Sequence, residues 1–395
     1  MAEGTYFAQL TDIHISPEAT VEAANAERYL ARALQEIAGL RLHCQFAVIT
    51  GDVVSAGTEG EFRRYLDLVA NCDIPLYAIP SGTHDAWDNE EPWSKFIGRR
   101  RYCLDAGDLR LVLLGEQCIG KPRWQRQLSQ TDLDWLEECL KSAGGRPLVL
   151  AFHAPLLHNG HDYVDVWAGG KAQPLLDLVR RYHVTALLTG HWHLNGEWQI
   201  EQNQIRVINT GALCGWGWNG IPPAPRYGLR PGYRLVSYEA GELRSIWRDL
   251  GTPAQINLTW VGDIHTAGPR PQVRDVAIGM PSKIQAQSFS LKGVIEKAEW
   301  ALCRITNIDP IGRVTWNLCE PGWQPLELKS SHLWSEWEAT VHPEDFSPGD
   351  GALVVRAWES KRVVAYDAVP VHINHSGQMQ AGNLHLFVLW SPPCE

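Results

Sequence analysis

A change of rhythm near residue 193 constrains this chain most. Before it, short apolar runs alternate with amphipathic stretches. Thr5–Leu10, Phe46–Thr50, Leu76–Pro80, Arg110–Leu114, Pro147–His153 and Ala186–Thr189 read as buried strands. Between them, Glu22–Ala38, Glu59–Ala70, Gln130–Lys141 and Lys171–Arg181 read as helices. In the last, Leu175, Leu176, Val179 and Tyr182 space out one face. Strand-helix alternation predicts a layered α/β core. After His193 the helical stretches stop. Glu197–Ile200, Gln204–Asn209, Tyr233–Glu239 and Glu242–Asp249 read as strands, with Ala240-Gly241 as a hairpin turn.

With 395 residues the chain has room for two domains. Gly251, Pro253, Gly268, Pro269, Pro271 and Pro281 make residues 251–282 turn-rich. The expected division is a first domain over 1–252, a linker over 253–274 and an all-β domain over 275–395. In the last part Glu338–Val341, Ala352–Trp358 and Val363–Tyr366 alternate apolar with polar residues, as sandwich strands do. It holds seven of the 18 Trp, among them Trp300, Trp316, Trp334, Trp337 and Trp358. Core packing is the plain account of these aromatics; a carbohydrate platform is the alternative. Three roles are open to this module: covering a site rim, pairing two copies into a homo-oligomer, or capping an edge strand.

Charge narrows the partners. Asp plus Glu is 45 against 35 for Lys plus Arg, a net charge of -10. Neither side of residue 269 is basic, which argues against a nucleic-acid backbone as partner. No window approaches about 18 consecutive apolar residues, so no membrane span is expected. The first residues run directly into an apolar strand and read as carrying no leader. The nine Cys are scattered without a CxxC, so reduced thiols in a cytoplasmic setting are expected, with a Cys303–Cys319 bridge as the alternative.

Five segments place metal-ligating residue types at or just past the carboxyl end of an expected strand. They are Asp12-Ile13-His14, Gly51-Asp52, Gly82-Thr83-His84-Asp85, Phe152-His153 and Gly190-His191-Trp192-His193. Ligands of open α/β sheets gather at that edge, so segments distant in sequence can converge there. In an extended segment, Asp12 and His14 would project to one face, and so would His191 and His193. Imidazole suits zinc, iron and other transition metals, and carboxylate suits harder ions such as manganese. Asp52 has two oxygens and could bridge two ions. Glycines at 51, 82 and 190 allow sharp turns. Singly, each piece is more often a surface pair, a satisfied core histidine or a turn. Five in this order are not.

The ordered set resembles the calcineurin-like metallophosphoesterase superfamily, whose pattern is DxH, GD, GN(H/E), a single His, then GHxH. Here it reads DIH, GD, GTHD, FH and GHWH, within about residues 5–250. The resemblance implies a four-layer α-β-β-α sandwich, followed here by a smaller immunoglobulin- or fibronectin-like β-sandwich. It implies two metal ions, of manganese, iron or zinc. Asp12, His14, Asp52 and His193 would hold one, and Asp52 would bridge to a second held by His153 and His191. His84 would sit over the substrate phosphate with Asp85 as its partner. Thr83 stands where the family has the Asn that feeds the second metal, and Ser55 where it often has Asp. His158 and His161, in the loop after His153, are candidates for the missing ligand or for substrate contact.

The activity so implied is hydrolysis of a small phosphodiester by metal-activated hydroxide. The FHAP segment is similar to the phosphodiesterase branch; the GALCG stretch at 211–215 and the GYRLVSYE strand at 232–239 are similar to bacterial family members with C-terminal β-sandwich extensions. A phosphomonoesterase or nucleotide pyrophosphatase is the alternative. A non-catalytic member that binds a phosphorylated ligand is the rival from another class. Two further features bear on substrate. Arg99, Arg100 and Arg101 form a basic run that either meets a phosphate or stays solvated. Trp216 and Trp218, in a Gly/Pro loop, either stack on a substrate ring or pack a sheet edge.

Overall fold

The computed structural model describes residues 4–16, 25–40, 44–86, 90–118, 126–156, 167, 172–193, 195–200, 205–215, 230–262, 264–265, 276–292, 294–308, 314–377 and 380–381. The chain forms two compact units, with the change at Leu250/Gly251.

The first unit runs β1 (Thr5–Leu10), α1 (Ala26–Ala38), β2 (Phe46–Thr50), α2 (Glu59–Val69), β3 (Leu76–Ile79), α3 (Glu91–Phe96), β4 (Arg101–Ala106) and β5 (Leu109–Leu114). A short hairpin, β6 (Gln117–Cys118) and β7 (Arg126–Gln127), leads to α4 (Gln130–Lys141), β8 (Leu148–Ala151), α5 (Gln173–Arg181) and β9 (Ala186–Thr189). The antiparallel strands β10 (Gly196–Ile200), β11 (Ile205–Asn209), β12 (Gly232–Glu239) and β13 (Glu242–Asp249) complete it.

Two sheets result, ordered β13-β12-β1-β2-β3 and β10-β11-β9-β8-β5-β4. β1, β2 and β3 are parallel, with Leu10 opposite Ile49 and Ile49 opposite Ala78. β5, β8, β9 and β11 are likewise parallel. Each sheet therefore brings several strand ends to one edge.

Period-two alternation divides the strands between layers. Leu111 and Leu113 face the space between the sheets with Phe7, Val48, Val149 and Leu188. Val112 and Leu114 face the other way, onto Leu136 and Leu140 of α4 and Leu175 and Val179 of α5. On the first sheet's side, α1 buries Leu30, Ala33, Leu34 and Ile37 and lies against β12 and α2. Capping boxes start α2 (Thr58 with Glu61) and α4 (Ser129 with Asp132). The layers are helix, sheet, sheet, helix, as the sequence implies.

The second unit is all β. One sheet is β15-β14-β17-β22-β21, built from β14 (Ala254–Val261), β15 (Ile264–His265), β17 (Ser282–Ser290), β21 (Glu327–Ser331) and β22 (Ser335–Val341). The other is β19-β18-β23-β24-β16-β25, from β16 (Val276–Ile278), β18 (Lys297–Ile308), β19 (Val314–Leu318), β23 (Gly349–Glu359), β24 (Arg362–Ile373) and β25 (Gln380–Ala381), with β20 (Gln324–Pro325) beside β18. Trp300, Trp334 and Trp337 are buried, the core-packing account of those aromatics. One expectation is corrected here, and one alternative is set aside. Residues 253–274 are not all linker: β14 pairs with β17 along its length, because Gly251 and Pro253 precede an apolar run instead of interrupting it. Cys303 and Cys319 are free thiols. Among the described residues no helix is long and apolar enough to cross a membrane.

Candidate metal centre

The loops leaving β1 and β2 run side by side. Asp12 N–H donates to the Gly51 carbonyl at 3.1 Å, and Ile13 and His14 N–H both donate to that of Asp52, at 2.8 and 3.0 Å. The expected extended geometry of the DxH and HxH pairs is not what forms. Asp12 (φ 52°), His14 (55°), Asp52 (51°), His191 (72°) and His193 (54°) are all left-handed. Each costs about 1–2 kcal/mol in a residue with a Cβ. Such strain persists where surrounding bonds over-determine it, and it gathers at functional sites. Coiled in this way, consecutive ligand types turn inward together.

Two glycines make the approach possible. Gly51 has φ 91°, and a Cβ there would lie 2.6 Å from His153 Nδ1. At Gly190 a Cβ would collide with Thr11 and lie 2.7 Å from Asp12 Oδ2. Gly190→Ala should therefore lower stability by about 1–3 kcal/mol, the scale of overpacking, and weaken metal uptake through Asp12. A thermal melt and a metal titration measure the two; unchanged values in both would remove this constraint.

Asp12, His14, Asp52 and His193 bring ligand atoms within 4.8 Å of one another, and Asp52, His153 and His191 form a second such group. Asp52 belongs to both. Its Oδ2 lies 3.6 Å from His14 Nε2 and 3.2 Å from His153 Nε2. His193 Nε2 stands 3.2 Å from Asp12 Oδ1 and 3.1 Å from His14 Nε2. The surroundings aim these groups. His153 Nδ1–H donates to the Thr50 carbonyl at 2.8 Å, which turns Nε2 toward the carboxylates. Asp12 Oδ2 accepts from Thr11 Oγ1 at 2.8 Å and His191 N–H at 3.0 Å, which leaves Oδ1 for the centre. Asp12 Oδ1 and His153 Nε2 are buried without a hydrogen bond. Buried polar atoms are normally satisfied, and a transition-metal ion suits carboxylate and imidazole donors so arranged. The residues present fit a pair of ions.

The charges are strongly coupled. Burial would raise the Asp12 carboxyl, but the His193 and His153 imidazoles outweigh it and hold it at about 2. Asp52 is held well below the usual carboxylate range against burial, by His153 first and then His84. Burial opposes charge on His153, yet Asp52 and Asp12 raise it to about 9. Burial pushes His14 down to about 3. A charged His153 would have to give up its Nε2 proton before that nitrogen could serve as a ligand.

His84 stands beside the first group, its ring centroid 4.8 Å from that of His14 and edge-on to it. Its Nδ1 lies 2.7 Å from the Ser55 carbonyl oxygen. A carbonyl only accepts, so Nδ1 carries a proton there and Nε2 is the nitrogen turned away from it. The expected pairing of Asp85 with His84 is corrected. Asp85 is fully buried, and its oxygens accept the N–H groups of Val54 (3.0 Å) and Ser81 (2.9 Å). Those N–H groups lie past the strand ends and have no ladder partner, so the carboxylate is used there. Burial, then the charge of Asp52, raises it to about 7.

Thr83 is buried in the same turn. Arg100 is engaged by Glu90 and the Gly115 carbonyl, and Arg101 by Asp132, so acidic and carbonyl neighbours occupy this part of the basic run. His158, His161, Trp216 and Trp218 lie outside the described residues. Two side chains at the centre carry no sequence signal of their own. Ser81 donates to Asp52 Oδ1, and Cys214 Sγ lies 3.8 Å from His193 Nδ1. Ser81 adjoins the GTHD segment, and Cys214 lies within the GALCG stretch; either neighbourhood could have drawn attention to them.

Comparison with known proteins agrees with this geometry. The chain is 27% identical over 242 residues to the 3′,5′-cyclic adenosine monophosphate phosphodiesterase CpdA of Pseudomonas aeruginosa, covering 60% of this chain and 87% of that protein. It is 27% identical over 194 residues to a probable glycerophosphodiester phosphodiesterase GpdQ of Arcobacter nitrofigilis, covering 47% and 70%. A cyclic-nucleotide phosphodiesterase of Nostoc is 25% identical over 214 residues, covering 52% and 77%. The family model of the calcineurin-like phosphoesterases matches residues 5–195, the span that carries every ligand named above. Through these residues the chain matches the calcineurin-like phosphoesterases, and it is a metal-dependent phosphoric ester hydrolase.

Proposed function

We propose that the chain hydrolyses a small phosphodiester at a two-ion centre built on Asp52. The observation that carries this reading is the sharing of Asp52 between two ligand groups, with His84 against the first. When bound, the ions supply Lewis acidity toward the phosphoryl oxygens and lower the pKa of a water that attacks in line. The residues do the rest. Asp12, His14, Asp52 and His193 form one site; Asp52, His153 and His191 form the other. The Ser55 carbonyl fixes the His84 ring. In its charged form His84 has a proton at Nε2 to give the departing oxygen. The nitrogen and oxygen donor set suits manganese, iron or zinc.

The diester preference draws on the names of the relatives, which act on a cyclic nucleotide or a glycerophosphodiester. Paired aryl substrates test it. Faster manganese-dependent cleavage of the diester than of the monoester is expected; a monoester preference would transfer the assignment to a phosphomonoesterase. Thr83 is the feature that favours a weaker second site, since its hydroxyl is shorter than an amide and a poorer neutral donor. Thr83→Asn should tighten binding of the second manganese by about tenfold, the lower end for changes around a metal site. Calorimetric titration of chelator-stripped protein measures it, and an unchanged affinity would place residue 83 away from that ion.

A further inference from the structure

Asp52 serves both ligand groups, so the angle of its carboxylate decides both. One residue holds that angle. Ser81 is fully buried, and its hydroxyl donates to Asp52 Oδ1. The same hydroxyl oxygen accepts the backbone N–H of His84 at 3.2 Å. A hydroxyl has one proton to give. The His84 N–H can only donate and the Asp52 carboxylate can only accept, so the Ser81 proton lies toward Asp52. The serine is itself anchored, because its N–H donates to Asp85 Oδ2, whose partner oxygen takes the Val54 N–H.

The consequence concerns the other oxygen. With Oδ1 committed to Ser81, Asp52 Oδ2 is the atom that faces both His14 of the first group and His153 of the second. We propose that Ser81 is a positioning residue, which turns Asp52 so that Oδ2 faces both ligand groups and which ties that carboxylate to the backbone of His84. The proposal rests on the reading of Asp52 as the shared ligand. Asp85 then holds Ser81 in place from behind.

The test uses the full chain, stripped with chelator and refilled with manganese. Binding is read by titration, and coupling between the two manganese ions by electron paramagnetic resonance. Ser81→Ala leaves the carboxylate free to rotate. It should weaken the second manganese by about 10–100-fold, the range for loss of a group that orients a ligand, and should alter the coupled spectrum. Ser81→Thr keeps the hydroxyl and should restore both readouts toward wild type, which loss of packing alone would not explain. Wild-type affinity and spectrum in Ser81→Ala would overturn the proposal, and so would a Ser81→Thr variant as impaired as Ser81→Ala. A wild-type protein that holds two manganese ions without coupling, or only one, would instead overturn the shared-ligand reading beneath it.

Discussion

Asp52→Asn is expected to abolish hydrolysis and to lower the number of bound ions. The expected loss of turnover is at least about a thousandfold, the scale seen when a principal electrostatic stabiliser is removed. The physical reason is position. Asp52 is buried, it is the one residue common to both ligand groups, and its Oδ2 sits between His14 and His153. An asparagine of the same shape keeps the packing but replaces a charged carboxylate with a neutral amide. The Ser81 hydroxyl and the left-handed backbone at Asp52 would both remain, so a melting curve near that of wild type is expected beside the lost metal. Metal content by mass spectrometry and hydrolysis of an aryl phosphodiester measure the two effects. Wild-type turnover in this variant would remove Asp52 from the centre.

His84→Ala separates chemistry from metal binding. His84 belongs to neither ligand group, so both ions should bind as before. Turnover should fall by about two to four decades, the range for loss of a general acid. The size of the loss should depend on the leaving group. An activated aryl alkoxide departs without a proton and should suffer least; an alkyl alcohol needs one and should suffer most. Equal losses across a leaving-group series would remove the acid role and leave His84 with phosphate contact alone. The tautomer set by the Ser55 carbonyl gives the role its structural basis, because it directs Nδ1–H away and reserves Nε2 for proton transfer.

The centre was legible in the sequence to the extent that topology alone placed its parts. Parallel strands carry their carboxyl ends to one edge, so Asp12, Asp52, His153, His191 and His193 could be brought together without any knowledge of side-chain contacts. What followed from backbone detail was not legible. The alternation of Asp12 with His14 suggests an extended segment, whereas both are left-handed because the loop is bonded to Gly51 and Asp52 of its neighbour. Asp85 beside His84 suggests a pair, but its carboxylate serves the N–H groups of Ser81 and Val54. Ser81 and Cys214 act through contacts across loops, and such contacts leave no periodic trace. In the second unit, β14 was hidden by the prolines and glycines that flank it. Its apolar positions Ile256, Leu258 and Val261 are buried, the last set off by a bulge between Leu258 and Trp260.

The measurement that tests the account most directly is a manganese titration of chelator-stripped protein, with bound metal and phosphodiester hydrolysis followed together. The account predicts no turnover without ions and a rise to full activity only as the second ion binds. Turnover that survives stripping, or full activity at one ion per chain, would contradict it.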